Sequence, residues 1–258
     1  MHVTATIEEY PVMMTRHEQV RDRLEEEAAL LRARGLKVKT RAETGTAYRQ
    51  ILRVAEAEAA SMIVIGFHGA GLQGLVVGSV ADRVTRESPI PVMLVKYRSV
   101  DDGEGGTRLE KVTAESFRKV FYPTDFSLCS TRTLEYVREF RKAGCEEVIL
   151  ASVIDTRPHR TAFNADQAQV ETTKKLDVIR QELEERGLKA KVIVRQGTPL
   201  EKLLDIAREE EVSMIVLGST GKGFFKEMLM GSVSESIVRR AVCPVLVIHD
   251  EVCTLTFD

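Results

Sequence analysis

MIVLGSTGKGFFKEMLMGSVS, residues Met214–Ser234, is the stretch that decides the fold. Met214–Leu217 is a continuous apolar run, the pattern of a strand that a parallel sheet buries on both faces. Gly218 breaks the run and Gly221 turns the chain again. An apolar and basic loop follows, and a second glycine corner stands at Gly231-Ser232. A helix is predicted from about Val233 to Arg240. A strand end, a glycine turn and a helix N-terminus therefore converge on one spot. Glycine lets the backbone approach a ligand closely and take positive φ at no steric cost. A helix N-terminus presents N–H groups and a partial positive charge, which suits phosphate. Ser232 and Ser234 add hydroxyls there, and Ser232 is also a residue type favoured as an N-cap. Glycine-rich strand-to-helix loops also arise from turn geometry alone, so the stretch by itself leaves both readings open.

The same pattern occurs earlier in the chain. MIVIG at 62–66 matches MIVLG at 214–218 at an offset of 152, as do Gly35-Leu36-Lys37 with Gly187-Leu188-Lys189 and Gly45 with Gly197. Gly78-Ser79-Val80 matches Gly231-Ser232-Val233 at an offset of 153, as does Pro91-Val92 with Pro244-Val245. The first glycine loop is thus one residue shorter. Around these anchors strands and helices alternate. Helices are predicted at 15–34, Tyr48–Ala59, Ser79–Glu87, Ser130–Lys142, 164–186, Leu200–Glu210 and Val233–Arg240. Strands are predicted at Leu36–Thr40, Ser61–Ile65, Pro91–Lys96, Lys119–Tyr122, Glu147–Ile154, Ala190–Val194, Met214–Leu217 and Pro244–His249. Residues 1–6 read as a further short strand. This order implies an α/β fold with two tandem doubly wound parallel sheets. The units span residues 1–97 and 118–250, with a charged, glycine-bearing linker at 98–117 and a tail at 251–258. In such sheets ligands sit beyond the C-terminal strand ends, where the topology switches.

The second unit has a strand and helix at 119–142 whose counterparts would carry negative numbers in the first. The first unit is expected to lack them, leaving its sheet without a central strand. A chain that begins too late, a strand lent by the tail or another chain, and a rebuilt sheet would each account for this. The first of these is the favoured expectation.

Composition narrows the function class. Of 258 residues, 43% are hydrophobic and 29% charged, and the net charge is −2, so nothing points to nucleic acid or an acidic membrane as partner. No apolar run approaches the ~20 residues of a spanning helix. The first residues have neither the basic nor the apolar region of a secretory leader. The four cysteines form no CxxC pair and read as packing residues or bystanders in a reducing, cytoplasmic setting.

Four elements, in order, resemble the universal stress protein family and its tandem two-domain members. Pro123-Thr124-Asp125 ends the first strand of the second unit. Gly197-Thr198-Pro199 precedes its third helix. Gly218-x2-Gly221-x9-Gly231-Ser232 follows its fourth strand, and Cys243-Pro244-Val245 opens its last. The resemblance implies an adenine-nucleotide α-hydrolase-like, Rossmann-like fold and a cofactor, ATP or AMP, with Mg2+ or Mn2+ on the phosphates. No protein ligand to a metal is assigned. Asp125, with Thr124 before it, would hold the adenosine end, and the Val153 backbone would meet the adenine. Gly218, Ser219, Thr220 and Gly221 would pass the ribose and phosphates. Gly231, Ser232, Val233 and Ser234 would hold the phosphates by N–H and hydroxyl groups. Gly66, Gly69, Gly78 and Ser79 are weaker candidates, because their loop is short and their aspartate is missing. Single-domain members pair through their last strands. Pro91–Lys96 and Pro244–His249 are therefore expected to pair within this chain as a pseudo-two-fold unit, and a homodimer is a further expectation.

Other chemistries fail on spacing. Gly221-Lys222 lacks the G-x4-G-K-S/T frame of a P-loop. The first strand of the second unit ends in Pro123-Thr124-Asp125, not in a dinucleotide-binding glycine turn. Gly231-Ser232-Val233-Ser234-Glu235 is not the serine hydrolase elbow. The expected function is a nucleotide-dependent regulatory or stress-response module, with the nucleotide held mainly by the second unit. A slow ATPase or adenylate-forming enzyme on the same scaffold, and a non-binding dimerisation scaffold, stay open as alternatives.

Overall fold

The computed structural model describes residues 2–3, 14–67, 78–96, 98–101, 107–110, 117–157, 164–221 and 230–249. The elements run β1 (His2–Val3), α1 (Met14–Ala33), β2 (Lys37–Val38), α2 (Ala47–Ala57), β3 (Ile63–Gly66), α3 (Ser79–Glu87) and β4 (Val92–Val95). Next come β5 (Arg98–Asp101) and β6 (Thr107–Glu110), then β7 (Lys119–Pro123), α4 (Leu128–Glu139), β8 (Glu147–Asp155) and α5 (Ala165–Glu185). The chain ends with β9 (Lys189–Gly197), α6 (Pro199–Glu209), β10 (Met214–Gly218), α7 (Ser232–Arg240) and β11 (Val245–Ile248).

Periodicity explains the pattern. β7 and β10 are apolar on both faces, and Val120, Phe121, Met214 and Val216 have no exposed surface. That is the burial expected where helices cover both sides. Two of the helices, α1 and α5, stop where glycine takes the left-handed conformation. At Gly35 (φ +82°) and Gly187 (φ +79°) the chain leaves α1 and α5 in the same way, and Leu36 and Leu188 each donate back to a leucine carbonyl five residues earlier. α6 opens with Pro199, whose fixed φ suits a first helical position.

The second unit is a doubly wound sheet in the order β9-β8-β7-β10-β11, parallel throughout. Its central strand is β7, and the topology switches between β7 and β10. The first unit contributes β3 and β4, also parallel. The two halves meet through their last strands: β4 and β11 pair antiparallel, with Leu94 opposite Val245 and Val92 opposite Val247. One seven-stranded sheet results, in the order β3-β4-β11-β10-β7-β8-β9. The expected pairing within the chain is therefore observed.

Among the described residues the first unit shows no central strand. β1 and β2 flank α1 as β8 and β9 flank α5, yet they form a parallel pair of their own, apart from the seven-stranded sheet. No described strand stands where β7 would, and the large sheet stops at β3. Between the units, β5 and β6 form an antiparallel pair within the stretch read as a linker. The tail at 251–258 lies outside the described residues. Among the described residues no helix is long and apolar enough to cross a membrane.

Candidate functional site

The site begins with a turn at the end of β7. Thr124 donates its N–H to Ala151 O at 2.8 Å, and its hydroxyl accepts from Phe126 N at 3.0 Å. Asp125 Oδ1 accepts from Ser127 N at 2.9 Å, an Asx-turn that leads straight into α4. Ser127 then caps α4 by accepting from Ser130 N at 3.3 Å. Phe126 is held at φ +60°, an uncommon conformation for a large residue. Beneath the turn, Tyr122 donates to Ser130 O at 2.7 Å, and burial pushes its phenol up to about 12.

The second wall is the end of β10, which neighbours β7. Ser219 donates its N–H to Ile248 O at 3.0 Å, and both Ser219 and Thr220 are buried. Gly231 N donates to Ser219 O at 2.8 Å, which brings the second glycine corner back onto the strand end. Ser234 Oγ donates to Gly218 O at 2.8 Å, pinning the first turn of α7 to the same place. Gly231 is the N-cap of α7 at φ −69°, ψ 145°, and no side chain caps that end. Ser232 is therefore the first residue of α7, not its N-cap. The start of α7 is left with backbone N–H groups and a partial positive charge to offer.

The glycines serve space, not positive φ. Neither Gly218, Gly221 nor Gly231 is among the positive-φ glycines. A Cβ on Gly221 would stand 2.7 Å from Asp125 Oδ2, so the carboxylate rests against the loop after β10. A Cβ on Gly218 would stand 2.7 Å from Cys129 Sγ on α4. Gly231 has only ordinary contacts, the nearest at 3.6 Å. Its bare Cα faces the Ser219–Gly221 backbone, which a side chain would meet in ordinary contact.

The structure thus brings Thr124, Asp125, Gly218, Ser219, Thr220, Gly221, Gly231, Ser232, Val233 and Ser234 to the adjoining C-terminal ends of β7 and β10. Val153 lies on β8, two positions past Ala151, the partner of the last β7 residue, and is half-buried. In the first unit, Gly78 N donates to Phe67 O at 3.0 Å and Gly78 caps α3 at φ −60°, ψ 142°, so that corner keeps the same backbone. Gly66 ends β3, and Ser79 opens α3. Its side chains differ: Phe67 stands where the second unit has Ser219, and Ala81 stands where it has Ser234. Gly69, His68, Lys222 and Lys226 lie outside the described residues.

Two residues near the corners escaped the sequence reading. Cys129 packs under Gly218 and is disulfide-bonded. The reading of all four cysteines as packing residues is corrected there, because no local spacing motif announces a bond between distant positions. Cys145 and Cys243 are free thiols, and burial pushes the former up to about 11. Lys96 is the other, and it is buried. Among the described residues no cluster of His, Cys, Asp and Glu is arranged to hold a metal ion.

The sequence matches the universal stress protein family over residues 2–96 and again over residues 116–249. The chain belongs to the universal stress protein family. Universal stress protein MJ0577 of Methanocaldococcus jannaschii is 35% identical over 153 residues, covering 51% of this chain and 94% of that protein. Universal stress protein YxiE of Bacillus subtilis is 36% identical over 147 residues, covering 52% of this chain and 99% of its own. Each of these relatives corresponds to about half of this universal stress protein. A universal stress protein from Archaeoglobus fulgidus shares the fold across both halves, with a TM-score of 0.68, 24% identity, and coverage of 96% of this chain and 87% of that one. Two family matches in one chain, joined through β4 and β11, make this a tandem member.

Proposed function

We propose that the second unit binds an adenine nucleotide, ATP or AMP, and that the protein is a nucleotide-dependent regulatory or stress-response module. The observation that carries this reading is the side-chain-uncapped start of α7 at Gly231, held 2.8 Å from Ser219 O beside the Asp125 turn. An anion is the natural occupant of such a helix start. A carboxylate one strand away can accept from ribose hydroxyls, so the two ends of the site match the two ends of a nucleotide.

Asp125 holds the adenosine end, and the backbone of Val153 meets the base. Gly218, Ser219, Thr220 and Gly221 form the floor under the ribose and phosphates. Ser232, Val233 and Ser234 offer N–H groups to the phosphates. The hydroxyl of Ser234 is engaged with Gly218 O and positions the turn. A divalent ion, Mg2+ or Mn2+, would be held by the phosphates rather than by protein side chains and would neutralise their charge. The first unit is silent, since Phe67 and Ala81 replace the Ser219 and Ser234 of the second.

Calorimetric titration with ATP and magnesium, beside a Gly231→Val, Ser232→Ala variant, tests the reading. One nucleotide per chain, lost in the variant, is the expected result. Two per chain would overturn the silence of the first unit, and none in the wild type would leave a scaffold without a ligand. A phosphate-release assay on the same samples separates a binder from a slow ATPase.

A further inference from the structure

Lys96 is buried at the end of β4 without an acidic partner. It is 8% exposed, and among the described residues it forms no ion pair. Its Nζ donates to Val238 O at 2.8 Å and to Ala241 O. These carbonyls belong to the last turn and the C-cap of α7 in the other unit. On its other side Nζ stands 4.0 Å from the centroid of the Phe67 ring. A buried ammonium is costly unless it is well bonded. Here two carbonyls at a helix C-terminus, where the dipole is negative, and one aromatic face stabilise it.

Three positions around this contact differ between the repeats. Phe67 replaces Ser219, Ala81 replaces Ser234, and Lys96 itself stands where the second unit has His249. The first unit's glycine corner keeps its backbone, and the ring of Phe67, which follows β3, backs an ammonium aimed at the neighbouring unit.

We infer that Lys96 of the first unit is a positioning residue for the second unit's nucleotide site: it clamps the C-terminal end of α7 and so fixes the helix whose first turn receives the phosphates. The inference rests on the nucleotide reading above. A cation at one end of α7 and phosphate at the other complement the same dipole. Loss of the clamp frees a short helix to shift, and Ser232–Ser234 move with it. The otherwise silent unit thereby acquires a role in the affinity of the active one.

The inference has a pH signature. Burial holds the Lys96 amine down at about 8, with the nearby Cys243 opposing that shift. The other charged groups on the elements around it are Glu235, Arg239 and Arg240 of α7 and Asp82, Arg83, Arg86 and Glu87 of α3. β11 contributes no titratable group between Val245 and Ile248. Nucleotide affinity is expected to fall as pH rises through about 8, while Lys96 loses its charge. Fold stability moves the other way. The unfolded chain holds the Lys96 proton to a higher pH than the folded one, so stability rises across the same window.

The test is calorimetric titration of the full chain with ATP and magnesium at about pH 7 and about pH 9, with thermal melts at both. Lys96→Met is expected to weaken binding about five- to tenfold at the lower pH, the scale of a partly buried charge at a helix end, with a melting temperature that does not fall. Lys96→Arg keeps the charge, restores binding and removes the fall at high pH. The ligand and Cys243 still titrate in Lys96→Arg, so a pH slope that persists there assigns it to them and overturns the inference. Lys96→Met binding as tightly as wild type overturns it alone. Affinity and melting temperature falling together in Lys96→Met, with the slope unchanged, would reduce Lys96 to a structural contact. A wild type that binds no nucleotide removes the parent reading and this one with it.

Discussion

Asp82 and Glu235 occupy equivalent positions on α3 and α7, and each accepts a hydrogen bond from the other unit's arginine. Arg239 donates to Asp82 at 3.0 Å, and Arg86 donates to Glu235. Each arginine also reaches the acid four residues back in its own helix, Arg86 to Asp82 at 3.0 Å and Arg239 to Glu235 at 3.2 Å. Four charges close a ring across the pseudo-two-fold axis, on the helices that start at the two glycine corners. Together with the β4–β11 pairing and Lys96, the ring gives the two units a shared seam beside the candidate site.

The ring predicts a coupling between units. Its side chains are about one-quarter to two-fifths exposed, so solvent screens it and the contribution of each contact is modest. Arg86→Ala is expected to cost about 1 kcal/mol, and a double-mutant cycle of Arg86→Ala with Glu235→Ala to give a coupling of roughly 0.5 kcal/mol that shrinks at high salt. Urea unfolding of the four proteins measures both. Additive effects at low salt would show that the ring does not bind the units together.

The three site glycines should separate fold from ligand. Gly218→Ala drives a Cβ to 2.7 Å from Cys129 Sγ and 3.2 Å from the Cys129 backbone, contacts that a packed helix cannot relieve freely. It is expected to destabilise by about 1–3 kcal/mol. Gly221→Ala meets only the end of the Asp125 side chain, so the fold gives slightly while the carboxylate is displaced. Gly231→Ala meets nothing closer than 3.6 Å and has an ordinary φ of −69°. It should melt within roughly 0.5 kcal/mol of wild type. Loss of ATP binding in Gly231→Ala without loss of stability is the expected result. Unchanged binding there would mean that the phosphates lie elsewhere.

How much was legible follows from where each signal sits. The element order was readable because each helix and strand carries its own periodicity and its own stop, as Gly35 and Gly187 do. The pairing of Leu94 with Val245 was readable only by way of the repeat and the resemblance, since no local pattern distinguishes a last strand that pairs. The gathering of Asp125 with Gly221 followed from the topological switch between β7 and β10. The clamp of Lys96 on Val238 O was not readable. A lysine after a buried strand looks like a solvated end, and its partners are backbone carbonyls, which every sequence supplies. The disulfide at Cys129 was hidden for the same reason, with nothing nearby to mark it. Ser232 was misplaced by one residue because glycine, which has no side chain to signal a cap, holds the N-cap position itself.

His249 predicts an acid limit to stability. It follows β11 as Lys96 follows β4, it is buried, and its Nε2 has no hydrogen-bond partner among the described residues. Burial lowers its imidazole to about 4. The unfolded chain takes up that proton nearer the ordinary 6.5, so it binds more protons than the folded chain between the two values. Stability from this group is complete above about 6.5 and declines as pH falls toward 4. The full loss is on the order of 3 kcal/mol. His249→Leu should remove that part of the slope. Denaturant melts of both proteins at about pH 7 and about pH 5 read it directly, and parallel slopes would assign the acid sensitivity to other groups.

Val64 and Val216 stand at the same place in the repeated motif and have opposite fates. Val216 has no exposed surface, because α4 and β7 cover its strand, whereas Val64 is 62% exposed on β3. The first unit has no described counterpart of β7 and α4, so the same apolar residue type is left in water at the end of the sheet. Val216→Lys buries an unpaired charge and is expected to unfold the second unit, at a cost of more than about 3 kcal/mol. Val64→Lys places a charge on an open edge, where charged residues oppose strand-to-strand association. It should change stability by less than roughly 0.5 kcal/mol and lower self-association. Thermal melts beside light scattering at increasing protein concentration check both. A large destabilisation by Val64→Lys would show that this face of β3 is covered in solution.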